Sequence, residues 1–232
     1  MQTFITKIKF CLLTLIVSFS GTPCFGDFST VWKMVSPSVV SVLPTWPGYE
    51  KPGFGAPLGT APEGTGIVVS KGGLIITASH VISKASEIQI RDAFGVIQSA
   101  TVILNDRNTD IALLKAEISK PPISFFLGGA TIGGNVCLVS NAFGLDLSIT
   151  CGVVSAVGRN NVGFNRVEDF IQTDAASNPG SSGGALVDQD GRLIGMMSGI
   201  FTKNTDTNAG VNFAISSNLI EETISKFIHE DD

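Results

Sequence analysis

Apolar residues in this chain come mostly in short runs broken by glycine, proline, asparagine, aspartate and serine, a pattern of strands and turns rather than of long helices. Val39 to Leu43 is one such run, and five more lie between Thr65 and Ala116, separated by turns at 71–73, 83–86, 92–95 and 105–109. A second series extends from about Phe125 to Ile215. Helical spacing occurs only near the two ends. Phe28, Val31, Trp32 and Val35 make a short amphipathic helix before Pro37. Ile220, Ile224, Phe227 and Ile228 make one stripe behind Asn218 and Glu221, which read as a capped helix start. Between Pro44 and Glu63 five prolines exclude a regular ladder. The pattern predicts an all-β protein with short N-terminal and C-terminal helices.

Residues 1–26 depart from that pattern. Lys7 and Lys9 precede an apolar run from Phe10 to Phe19 and a short polar stretch ending at Gly26, the layout of a secretory signal peptide cut before Asp27. The run is shorter than the ~20 residues that span a bilayer, so no stable membrane anchor is expected. Composition adds little: 232 residues, 44% hydrophobic and 15% charged, suffice for one large core or two small ones. A formal charge of −5 gives no electrostatic reason to bind nucleic acid. Cys137 and Cys151 fall opposite each other if their runs pair as a hairpin closed near 143–146; a disulfide and two small buried apolar residues are both open. With no C-x-x-C and no H-E-x-x-H, the sequence offers no metal ligand set.

Candidate chemistry concentrates between Gln172 and Val187, where Ser182 sits in the cluster Gly180-Ser181-Ser182-Gly183-Gly184. Glycines let a backbone turn tightly and aim the Gly180 and Ser182 N–H groups at one point, as an oxyanion hole requires. The same residues also suit a plain surface turn. A serine nucleophile needs a base, and the chain offers only His80 and His229, the latter in an acidic tail. His80 ends an apolar run, where it serves either as base or as a packing residue. Asp110 opens another run, where it serves either to hold an imidazole tautomer or to cap a turn. The order His80, Asp110, Ser182 makes the α/β-hydrolase elbow a weak reading, because its histidine follows its serine and here only the tail His229 does.

These residues lie in stretches that resemble the HtrA (Deg) branch of the chymotrypsin-like, trypsin-like peptidases: GTGIVVS from Gly64, TASHVI from Thr77, NTDIALLK from Asn108, NAFGL from Asn141, CGVVSAVGR from Cys151, FIQTDA from Phe170 and GVNFAISSN from Gly210. The resemblance covers roughly residues 31–228. It implies a chymotrypsin-like double β-barrel of two six-stranded antiparallel barrels, one at 27–120 with His80 and Asp110, the other at 121–232 with Ser182. It further implies an exported, periplasmic or secreted serine endopeptidase that needs no cofactor and takes unfolded or damaged polypeptides in extended conformation. A homo-trimer packed through the N-terminal region is also implied. By the same resemblance Ala176, Ser177, Met197, Ser198, Gly199 and Ile200 bind substrate, and Ala176 stands where a carboxylate would select basic side chains. The alternative is a peptide-binding module or holdase on the same fold that never cleaves.

Two departures from that family modify the expectation. Many of its members continue into PDZ domains, for which the residues after the second barrel leave no room. Pro179 and Ser181 replace what are often a basic residue and Asn. Because proline disfavours helical backbone at Asn178, the loop is expected to switch less readily between active and inactive forms.

Overall fold

The computed structural model describes residues 27–49, 62–200 and 209–231. The expected signal peptide, most of the proline-rich 44–63 loop and the side chain of His229 lie outside the described residues. The chain begins with helix α1 (Ser29–Val35), whose Val31 and Val35 are buried. Twelve strands follow: β1 (Val39–Thr45), β2 (Gly64–Val68), β3 (Leu74–Ala78), β4 (Glu87–Arg91), β5 (Ile97–Asp106), β6 (Ile111–Ala116), β7 (Asn135–Ser140), β8 (Ser148–Arg159), β9 (Phe170–Thr173), β10 (Ala185–Val187), β11 (Leu193–Ile200) and β12 (Asn212–Ser216). A one-turn helix, α2 (Ser79–Ile82), follows β3, and α3 (Ser217–Asp231) follows β12. The strands close into two antiparallel six-stranded barrels, in the orders β1-β2-β3-β6-β5-β4 and β10-β11-β12-β9-β8-β7.

Side-chain alternation explains both the barrels and their docking. In β3, Ile75 points into the first barrel with Val40, Val42, Ala112 and Leu114. Its neighbour Ile76 points the other way, into a cluster shared between the barrels with Ile67, Leu113, Val139, Phe170, Met196 and Ile215. With both faces covered, β2 and β3 are buried at every position and β6 at every position but Lys115. β4 has one face on solvent, so Ile88 and Ile90 alternate with exposed Glu87 and Gln89. The second barrel holds a separate interior of Leu138, Val154, Ile171, Leu186, Ile194, Met197 and Ala214. The shared cluster is completed by Leu219, Ile220 and Ile224 of α3 and by Val31 and Val35 of α1.

The start of α3 differs from the sequence expectation. Its cap is Ser216, whose Oγ accepts the Leu219 N–H, while Asn218 lies inside the first turn. Ser216 is the last residue of β12, and a strand that runs directly into a helix leaves no polar linker to advertise the boundary.

Cys137 and Cys151 face each other across the β7–β8 pair and are joined in a disulfide. The crosslink joins residues 14 positions apart in the chain. Losing such a crosslink should cost about 2–4 kcal/mol, mainly by freeing the unfolded chain. Cys137→Ala/Cys151→Ala is therefore expected to lower the urea midpoint, and reductant should lower that of the wild type but not of the double variant. An unchanged wild-type midpoint in reductant would show that the cysteines are not joined.

Candidate active site

Asp110 sits at the seam of the barrels, with a left-handed backbone (φ 61°) that the short polar side chain tolerates. Its side chain is only 8% exposed and is ringed by donors. The His80 N–H donates to Oδ1 at 2.9 Å, and the Ser198 hydroxyl to Oδ2 at 2.6 Å. His80 Nδ1 lies 2.9 Å from Oδ2 and 3.0 Å from Oδ1. An acceptor-only carboxylate places the imidazole proton on Nδ1 and leaves the Nε2 lone pair outward. Nε2 is 3.0 Å from Ser182 Oγ. The turn from β3 into α2 sets this geometry, because the Ser79 N–H donates to the Asp110 carbonyl at 3.0 Å. An imidazole held so is able to take the Ser182 proton and return it to a leaving group.

The glycine loop is fixed by two carbonyls that precede Ser182. Pro179 C=O accepts the Phe143 N–H at 2.6 Å, and Ser181 C=O accepts the Gly184 N–H at 2.9 Å. Carbonyl and N–H of a trans peptide point in opposite directions, so the Gly180 and Ser182 N–H groups are turned the other way, with no acceptor among the described residues. N–H groups left without an acceptor beside a hydroxyl can stabilise an oxyanion. Gly180 (φ 95°) and Gly183 (φ 85°) permit the path. A Cβ at Gly180 would lie 2.4 Å from Asn141 O, and one at Gly183 2.0 Å from Thr65 O.

The residues expected to line the substrate pocket divide. Ala176 is exposed, its carbonyl accepting the Thr150 hydroxyl, and Ser177 is buried. Gly199 faces the ring of Phe164, 3.0 Å from where its Cβ would be. Met197 is not on the cleft: its side chain fills the second barrel, and its C=O and N–H pair with the Gly183 N–H and the Gly184 C=O. Ser198 turns its hydroxyl to Asp110 instead of a pocket. The backbone of Ile200 ends β11, and its side chain is outside the described residues. The sequence reading overlooked Phe164 and Arg107, which with Lys84, Asn165, His80 and Asp110 border a cleft of about 450 Å³. Both come from loops with no periodicity to mark them. Among the described residues no group of three His, Cys, Asp or Glu is placed to hold a metal.

A histidine held by a buried carboxylate on one barrel, facing a serine hydroxyl on the other, is the arrangement of the chymotrypsin-like class. A family model of the trypsin-like peptidase domain matches residues 64–196, and the chain belongs to that family, on its HtrA branch. It is 39% identical over 174 residues to a probable periplasmic serine endoprotease DegP-like of Rickettsia conorii, covering 72% of this chain and 34% of the relative. To the periplasmic serine endoprotease DegP of Salmonella typhimurium it is 36% identical over 169 residues, covering 71% and 35%. The solved structure of the HtrA-type protease AlgW with tripeptide is similar at a TM-score of 0.78 and 34% identity, over 88% of this chain and 64% of that one. The chain spans about a third of the length of the curated relatives it matches.

Phe164 belongs to a loop gathered around Glu168, whose carboxylate accepts the N–H groups of Val162, Gly163, Phe164 and Asn165 at 2.6–3.0 Å. Burial by itself would raise the Glu168 carboxyl, but these four donors outweigh it and hold it below the ordinary 4.5. A lowered carboxyl stabilises the loop fully above its ordinary value and ceases to as pH falls through the lowered one. Hydrogen-exchange protection of residues 162–165, corrected for intrinsic rates, should be lost over that acid range. Glu168→Gln should reduce the protection severalfold already at neutral pH; equal protection in the variant would show that other contacts hold the loop.

Proposed function

We propose that the chain is an exported, periplasmic serine endopeptidase that cleaves extended segments of unfolded or damaged polypeptides. The observation that carries this reading is the continuous line from Asp110 through His80 to Ser182 Oγ, with both heavy-atom gaps within 3.0 Å. Ser182 attacks the peptide carbonyl as His80 Nε2 takes its proton. Asp110 holds the imidazole and stabilises the cation that forms. The Gly180 and Ser182 N–H groups meet the negative charge on the tetrahedral oxygen. Collapse returns the proton to the leaving amine and leaves an acyl-enzyme, which water hydrolyses by the same steps. No cofactor enters.

The substrate class follows from the edge beside the nucleophile. β11 leaves the glycine loop at Met197, so residues 198–200 offer an edge along which an extended peptide is able to pair. With Ala176 in place of a carboxylate, cleavage after Arg or Lys is not expected. Periplasmic location rests on the layout of residues 1–26 and on the names of the relatives.

The test is digestion of a permanently unfolded model protein by the wild type beside Ser182→Ala. Cleavage confined to the wild type, with fragment ends after small or medium apolar residues, is expected. Asp110→Asn should retain the fold and lose about 10⁴-fold in kcat. Equal cleavage by Ser182→Ala would refute the assignment, and binding of the unfolded chain without cleavage by the wild type would favour the holdase.

A further inference from the structure

We propose that the hydroxyl of Thr65, on the first barrel, is a positioning group for the oxyanion-binding N–H of Gly180 on the second. The proposal rests on the peptidase reading above. Thr65 lies at the start of β2 with 0% exposure, and all its polar atoms are spent on the nucleophile loop or its supports. Oγ1 donates to the Gly180 carbonyl at 2.8 Å and accepts the Asn141 N–H at 2.9 Å. The Thr65 N–H donates to the Ser182 carbonyl at 2.8 Å, and the Thr65 carbonyl accepts the Thr77 hydroxyl at 2.7 Å.

Oγ1 closes a ring of contacts. From Asn141, fixed by Thr65, the chain runs two residues to Phe143, whose N–H holds the Pro179 carbonyl. The Pro179–Gly180 peptide then leads to the Gly180 carbonyl, which returns to Thr65 Oγ1. Of the two peptide planes that meet at Gly180, one is held directly by the hydroxyl, and the other by a turn that the hydroxyl anchors. Glycine alone would let that peptide rotate, since φ is unrestricted by a side chain. Rotation would carry the Gly180 N–H out of the cleft and bring the Pro179 carbonyl in, replacing a donor with an acceptor where negative charge develops. Pro179 lacks an N–H of its own to contribute to the loop's hydrogen bonds. Within the loop the Ser181 N–H reaches the Asn178 carbonyl; from outside, the Phe143 N–H holds the Pro179 carbonyl, and the buried hydroxyl holds the Gly180 carbonyl and anchors Asn141 at the head of the turn that carries Phe143.

Thr65→Val keeps the shape and removes both hydrogen bonds, and Thr65→Ser keeps the hydroxyl and removes a methyl. The four proteins to compare are wild type, Ser182→Ala and these two, with a short peptide substrate and a peptide aldehyde, whose adduct with serine places an oxyanion in the hole. Thr65→Val is expected to lower kcat roughly 10- to 100-fold, short of the 10²–10³ for outright loss of a donor. KM should stay within about twofold, and aldehyde affinity should fall in step with kcat. Thr65→Ser should restore both to within about threefold of wild type. Should Thr65→Val not fold, Thr65→Ala is expected to show the same split. Wild-type kcat and aldehyde affinity in the folded variant would overturn the proposal, as would Thr65→Ser behaving like Thr65→Val, since that would make the methyl group the cause. Cleavage that survives Ser182→Ala, or is missing from the wild type, would instead overturn the peptidase reading.

Discussion

A carboxylate buried where two barrels meet must be surrounded by donors, and the site is built around meeting that demand at Asp110. Leaving such a charge unpaired would cost several kcal/mol, so each donor is held where it is by more than its own rotamer. His80 answers with its ring and its backbone N–H, and Ser198 answers from the opposite barrel. The contact that satisfies the charge also fixes the imidazole tautomer and aims its free nitrogen at Ser182. Electrostatic necessity and the geometry of the proposed site are here the same set of bonds.

Much of this was legible in the sequence because titratable residues are scarce. With only two histidines, and one of them in an acidic tail, His80 was the sole internal base, and Asp110 and Ser182 stood at the ends of apolar runs. The strands of the first barrel were legible for a related reason: runs such as Leu74–Ala78, covered on both faces, carry a signal that no turn shares. Periodicity cannot say which face of a strand meets which neighbour. Nor can a family resemblance: Met197, which it places at the substrate, is packed inside the second barrel with its backbone spent on Gly183 and Gly184.

The least legible residues act through the main chain or from loops. Phe143 contributes a peptide N–H from a left-handed position, a role independent of its side chain's chemistry. Thr65 is one small residue between two glycines, and its hydroxyl gains meaning only when residues 141 and 180 arrive from the other barrel. Ser216 was hidden as a cap because it is also the end of a strand. The paired cysteines lie between these extremes. Their spacing suggested that they face each other, and only the register of β7 with β8 decided it.

The division of these groups between the two barrels has a consequence for the chain's early life. His80 and Asp110 are both placed by the first barrel, but the serine, the glycine loop and Ser198, which completes the donors around Asp110, are all encoded in the later half. The last of those segments, β12 and α3, must dock before the shared cluster is whole. The groups of the proposed site therefore come together only once the latest strands of the chain have docked.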